Sequence, residues 1–154
     1  MEKIIFLDID GVILSGNDLW KNGNRYLCPD KVKMINDLCS SNNAKVVISS
    51  SWRIIENRKP LLECFDLHKD WRTDNIGSVR GKQIERWIND HRVLSYVIFD
   101  DDSDFLDTQK GNIVKTNFED GLTQSHVDDA WKILNEQNRY YVCSHLANDN
   151  KTVV

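Results

Sequence analysis

Three short apolar runs constrain this chain more than anything else in it, because each ends among side chains able to do chemistry. Ile4 to Ile9 holds Asp8 and leads into Asp10, Ala44 to Ile48 leads into Ser49-Ser50-Ser51, and Val93 to Phe99 leads into Asp100-Asp101-Asp102. Runs of this length, rich in β-branched residues, have the pattern of strands buried on both faces, as in a parallel sheet. Asn112 to Thr116 fits a fourth, shorter strand nearer an edge. Helical spacing fills the gaps: Val32, Ile35, Leu38 and Cys39 after Pro29; Ile84, Trp87 and Ile88 after Lys82; Val127, Ala130, Trp131 and Leu134 after Ser125. Ser125 and Asp128 have the spacing of a capping box, and Lys59 to Phe65 fits a short helix with Pro60 in its first turn. Residues 15–27 read as a loop.

Strands alternating with helices predict an α/β fold, a Rossmann-like parallel sheet with flanking helices and right-handed crossovers. Ligands of such sheets bind at the carboxyl ends of the strands. All three polar clusters fall there. With 154 residues the chain has the size of a single domain, predicted over residues 1–147 with a polar tail at 148–154. A net charge of -4 argues against nucleic-acid binding by the surface as a whole, although it leaves room for a local basic patch. No apolar run approaches the roughly 18 residues of a membrane span, and no signal peptide is visible. Cys28, Cys39, Cys64 and Cys143 form no C-x-x-C pair and are expected to be reduced, as in a cytoplasmic protein. The four histidines show no zinc-site spacing.

Asp8-Ile9-Asp10-Gly11 is the most informative cluster. Two carboxylates two residues apart share a side of a continuing strand, and at about 4 Å their repulsion is roughly 4 kcal/mol at an effective dielectric near 20. A pair of this kind is kept where a cation offsets it and where it does chemistry. Taken alone, the motif is equally a turn, since Asp and Gly favour turns. Ser49 to Ser51 alone is a polar strand end, and Lys82 alone is a solvated charge.

Together and in this order, the motifs resemble those of the haloacid dehalogenase (HAD) superfamily of phosphohydrolases. Asp8-Ile9-Asp10-Gly11 is similar to the first motif, Val46-Val47-Ile48-Ser49 to the second, Lys82 within Arg80-Gly81-Lys82 to the third, and Val97-Ile98-Phe99-Asp100-Asp101 to the fourth. The resemblance implies that Asp8 is a nucleophile forming an aspartyl-phosphate and that Asp10 is a general acid and base. It implies that Ser49 donates a hydrogen bond to a phosphoryl oxygen, and that Lys82 neutralises charge there. Gly11, Ser50 and Arg53 are then substrate-binding residues. Mg²⁺ is held by Asp8, Asp100 and Asp101 with the backbone carbonyl of Asp10, while Asp102 and Asp104 are outer or helix-terminal groups.

A narrower resemblance joins Ile48-Ser49-Ser50-Ser51-Trp52-Arg53, the acidic fourth motif and Gly121-Leu122-Thr123 to HAD phosphatase domains of RNA-repair proteins and polynucleotide phosphatases. It implies a phosphate monoester substrate, with a nucleic-acid 3′ or 5′ end among the candidates. Residues 12–29 and 54–79 are too short for a full cap domain, so a capless or minimally capped, open site is expected. Lys21, Arg25, Arg53, Arg58, Lys59, Arg72 and Arg80 are placed to rim it. Trp52 is a candidate to line the site or stack a base, whereas Trp87 and Trp131 belong to apolar helix faces. Gly77 to Gln83 is not a P-loop: its glycines are too close, and Gln83 stands where Ser or Thr is needed. Two other readings stay open, a non-catalytic HAD-fold module that binds phosphate, nucleic acid or a protein, and a phospho-acceptor of response-regulator type.

Overall fold

The computed structural model describes residues 1–136. Cys143, His145, the expected domain end at residue 147 and the polar tail lie outside the described residues. Five parallel strands form one sheet in the order β3-β2-β1-β4-β5: β1 (Glu2–Leu7), β2 (Ala44–Ile48), β3 (Leu67–Arg72), β4 (Val93–Asp100) and β5 (Ile113–Lys115). The helices are α1 (Gly16–Asn22), α2 (Pro29–Asn42), α3 (Lys59–Leu62), α4 (Arg80–Asn89) and α5 (124–136).

The strand periodicity of two sorts the apolar residues into two layers. Ile5, Leu7, Val46, Ile48, Val97 and Phe99 face one side, where Ile35 and Leu38 of α2 and Val127, Ala130 and Leu134 of α5 cover them. Ile4, Phe6, Val47 and Ile98 face the other side against Ile84 and Trp87 of α4. The central strands are buried on both faces, which is why they read as unbroken apolar runs.

From β1 the sheet first grows through β2 to β3, then resumes on the opposite side of β1 with β4 and β5. The direction of growth therefore reverses between β1 and β4, and a crevice opens outside their carboxyl ends. Asp8 follows β1 and Asp100 closes β4; the Asp8 N–H donates to the Phe99 carbonyl at 3.0 Å, which ties the two strand ends together.

Four local expectations are corrected. The segment 15–27 is not all loop: Ser15 Oγ accepts from the Asp18 N–H and starts α1. β3 was not anticipated, because Leu-His-Lys-Asp-Trp-Arg is an edge strand with mostly polar residues. Trp131 is 49% exposed, since the buried stripe of α5 runs through Val127, Ala130 and Leu134 instead. The cap of α5 is made by Thr123 and His126, not Ser125 and Asp128: the Thr123 N–H donates to His126 Nδ1 at 3.0 Å, and Thr123 Oγ1 accepts from the His126 N–H at 3.5 Å.

Cys28, Cys39 and Cys64 are free, with burial pushing the Cys39 thiol up to about 12. Among the described residues no helix is long and apolar enough to cross a membrane.

Candidate active site

The carboxylates of Asp8, Asp100 and Asp101 converge, with ligand oxygens within 4.8 Å of one another. Asp8 is nearly buried and Asp100 entirely so. The Arg80 guanidinium faces both: Nη1 lies 2.5 Å from Asp100 Oδ2 and 3.4 Å from Asp8 Oδ2. Burial and the neighbouring Asp100 carboxylate push the Asp8 carboxyl well above its usual range, and Arg80 pulls it back only in part. Burial and Asp100 raise Asp101 as well. One guanidinium against three carboxylates leaves negative charge uncompensated, and these hard oxygen donors have the chemistry that Mg²⁺ or another hard divalent cation prefers. The residues present therefore fit a metal of that class.

Close backbone approach makes this convergence possible. Gly11 has φ +80°, and a Cβ there would collide with the Asp101 carboxylate. Its carbonyl accepts from Thr116 Oγ1 at 2.7 Å, which anchors the first-motif loop to the end of β5. Asp10 is exposed, and its Oδ1 accepts from the indole N–H of Trp52 at 3.2 Å.

After β2, the Ser49 N–H donates to the Leu7 carbonyl, while its fully buried Oγ has no hydrogen-bond partner. Buried hydroxyls are nearly always partnered, so an orphan at a strand end keeps a hydrogen bond in reserve. Thr73 Oγ1, just past β3, is orphaned in the same way. Ser50 is engaged differently: its Oγ accepts from the Trp52 N–H and caps the short turn Ser51–Ile54.

Two sequence expectations change here. Lys82 is exposed and its ammonium makes no hydrogen bond or ion pair among the described residues; Arg80, two residues earlier and on the opposite side of α4, is the cation at the carboxylates. Arg53 does not face a phosphate position. Arg53 is 5% exposed, and its guanidinium donates to the carbonyls of Ser49, Ser50, Thr73 and Asp74 and to Gln83 Oε1. All five N–H groups are thereby used, so Arg53 shapes the loops after β2 and β3 from within.

Arg80 is held by contacts that motif reading passed over. Val79 supplies no side-chain cap to α4. Instead Asp104 Oδ2 accepts from the Arg80 N–H at 3.1 Å and the Asp104 carbonyl accepts from the Gly81 N–H at 3.0 Å. This fits the helix-terminal role expected for Asp104. Gly81 lets the first turn of α4 press on the 105–109 turn; a Cβ there would lie 2.6 Å from Gln109 Oε1 and 2.8 Å from the Leu106 nitrogen. Arg80-Gly81 before a helical pattern was the available signal for both residues.

A family model described as "HAD domain in Swiss Army Knife RNA repair proteins" matches residues 4–127. The chain belongs to this family. The match spans β1 through the first turn of α5 and so takes in every site residue above. Curated proteins and solved structures gave no match to this HAD domain. The insertions where HAD proteins of other kinds carry caps hold only α1 in one case, and α3 with the sheet strand β3 in the other.

Proposed function

We propose that this HAD domain is a Mg²⁺-dependent phosphohydrolase that acts on phosphate monoesters through an aspartyl-phosphate, with polynucleotide ends as substrates. The observation that carries the reading is the convergence of Asp8, Asp100 and Asp101 with Arg80, beside a buried Ser49 hydroxyl that has no partner. A cleft of about 220 Å³ lies next to Arg80, between the 51–54 turn and the 75–78 loop.

Asp8 Oδ attacks phosphorus, forming the acyl-phosphate bond as the bond to the leaving oxygen breaks. Asp10 gives that oxygen its proton, then takes one from the water that attacks phosphorus and restores the Asp8 carboxylate. The Trp52 indole N–H holds the Asp10 carboxylate in place for both transfers. Arg80 and the Ser49 hydroxyl face the phosphoryl oxygens, the role first expected of Lys82 falling to Arg80. Asp8, Asp100 and Asp101, with the Asp10 carbonyl, would hold the divalent cation, which when bound offsets the phosphoryl charge against the carboxylates. The family description, with its RNA-repair proteins, and the uncapped site support a bulky substrate such as a nucleic-acid end.

The test is phosphate release by wild type and Asp8→Asn, with and without Mg²⁺. The panel holds oligonucleotides with a 3′- or 5′-phosphate, nucleoside monophosphates and an aryl phosphate. Release that needs both Mg²⁺ and Asp8 supports the reading. A folded wild type that releases nothing overturns it in favour of a binding module, and a long-lived phosphorylated Asp8 favours the phospho-acceptor reading.

A further inference from the structure

We infer that the substrate strand leaves the site over the β2–β3 side, where Arg58 binds the phosphodiester next to the reacting terminal phosphate and Arg72 and Arg25 extend the track. The inference rests on the phosphohydrolase reading above. Asp10 marks the position of the leaving oxygen, and the rest of the substrate hangs from that oxygen. What lies beyond Asp10 therefore meets the leaving group.

Trp52 lies there, 3% exposed, with its indole N–H on Asp10 and the Arg58 guanidinium carbon 4.9 Å from its ring centroid. Trp52 is thus a covered spacer between the general acid and a cation, not a base-stacking platform. Arg58 makes no side-chain hydrogen bond or ion pair among the described residues, and its Nε is buried with no partner. The Nε is covered by protein, so the Nη groups are the donors that a phosphate oxygen would meet. Arginine is the side chain suited to phosphate, by charge and by its fork of donors.

The cations continue outward. Arg25 Nη2 donates to the Asn57 carbonyl at 3.3 Å, which brings it beside the Arg58 segment. Arg72 lies with its guanidinium carbon 5.1 Å from the Trp71 ring, and Nη1 donates to the Arg53 carbonyl. Neither has a carboxylate partner among the described residues. Lys59 also faces Trp71, at 5.3 Å, but shares its charge with Glu63.

Sheet order makes this a one-sided arrangement. The Trp52–Arg58 segment, with Glu56 its one acid, follows β2 and Arg72 ends β3, on one side of Asp8; Asp101, Asp102 and Asp104 follow β4, and Glu119 and Asp120 follow β5, against the single cation Lys115, on the other. The cleft beside Arg80 is itself walled by Asp102 and Asp104. A polyanion is repelled from the β4–β5 rim and attracted to the β2–β3 rim, even though the chain as a whole carries a net charge of -4. Charge complementarity of this kind selects a single-stranded nucleic-acid end as the occupant.

The experiment compares kcat/KM for an oligonucleotide bearing a terminal phosphate, in 3′ and 5′ versions, with that for an aryl phosphate and a phosphopeptide. Wild type, Arg58→Ala, Arg58→Lys and Arg72→Ala are measured across a salt series, with thermal unfolding as the folding control. The expected result is a wild-type preference for one oligonucleotide that falls about tenfold in Arg58→Ala, recovers in part in Arg58→Lys and falls less in Arg72→Ala. The salt slope for the oligonucleotide also becomes shallower by about 0.7 per contact removed. Equal losses on oligonucleotide and aryl phosphate mean that Arg58 merely braces Trp52 and Asp10, and overturn the inference. A wild type that prefers the phosphopeptide, or the aryl phosphate, overturns it while leaving the phosphohydrolase reading intact. No release from any ester overturns both.

Discussion

Two clusters of ionisable groups sit at opposite ends of the sheet, and only one of them has capacity to spare. At the carboxyl ends, Asp8 and Asp100 share a single guanidinium with Asp101 beside them, and the Ser49 hydroxyl has no partner. At the amino ends, Glu2, His68, Asp70 and His91 also bring metal-ligand atoms together. There, each nitrogen is already committed. His68 Nδ1 accepts from the Asp70 N–H at 2.9 Å and His68 Nε2 donates to Glu2 Oε2 at 2.8 Å. His91 Nδ1 donates to the Trp87 carbonyl at 2.6 Å while Nε2 lies 2.8 Å from Asp70 Oδ2, and its ring stacks on Trp87 with centroids 3.6 Å apart. A metal on His68 Nε2 would have to displace the proton given to Glu2 while Nδ1 still accepts a backbone N–H, leaving an imidazolate. Proximity of ligand atoms is therefore not enough to make a metal site. Unspent acceptor capacity and uncompensated charge separate the candidate site from the structural cluster.

The sharpest way to break this contrast is Asp8→Asn. Losing the proposed nucleophile should lower phosphate release by at least about 10³-fold. The same change should leave the melting temperature equal or higher without metal, because it removes one of three mutually repelling carboxylates, and should blunt the stabilisation expected when Mg²⁺ is added to the wild type. A variant that is inactive because it unfolds would refute the assignment.

Next in size is the pair Arg80→Ala and Lys82→Ala. Arg80→Ala should lower kcat by roughly 10²–10³-fold and destabilise the fold by about 3 kcal/mol, since it leaves fully buried Asp100 without its cation. Lys82→Ala should change activity less than about twofold and stability by less than about 0.5 kcal/mol, as an exposed residue without partners does. Comparable losses in the two variants would restore Lys82 to the site.

At the other pole, His68→Ala should destabilise by about 2 kcal/mol through lost hydrogen bonds and packing on Trp87, with kcat/KM unchanged. Added Zn²⁺ should produce no thermal shift that His91→Gln removes. A shift of that kind, read by calorimetry, would turn the structural cluster into a second metal centre.

The smallest effect concerns acid stability. Arg86 binds Asp74 with two hydrogen bonds of 2.8 Å and holds its carboxyl down at about 2. A carboxyl lowered in the folded state binds its proton more readily when unfolded, so its stabilising effect is complete above the ordinary value near 4. That effect is lost as pH falls from there to about 2. Arg86→Gln should flatten the fall of the urea midpoint over that window. An unchanged profile would show that Asp74 contributes nothing to it.

Much of this architecture was readable in advance because burial on both faces writes itself into composition. β1, β2 and β4 could be read as apolar runs, and the acidic or hydroxyl residues at their ends followed. β3 could not be read: an edge strand with Lys69 and Asp70 exposed carries no such run. The α1 turn was hidden for a related reason, since a seven-residue helix with little buried surface has no periodic stripe. Trp131 fits the apolar spacing of α5, yet the rotation of that helix on the sheet leaves it half exposed.

The chain by itself determined which residue types stand at the carboxyl ends of the central strands, because strand burial and strand termination are local properties of the sequence. Which side chains enter the site from α4 and from the turn after β2 was decided only by tertiary packing. Arg80 and Lys82 differ by about 200° around a helix, so the docking phase set by Gly81 and Asp104 alone puts the first on Asp8 and the second in solvent. Arg53 turned inward for the same kind of reason: five acceptors from loops distant in sequence converge on it, and no motif records where those carbonyls point.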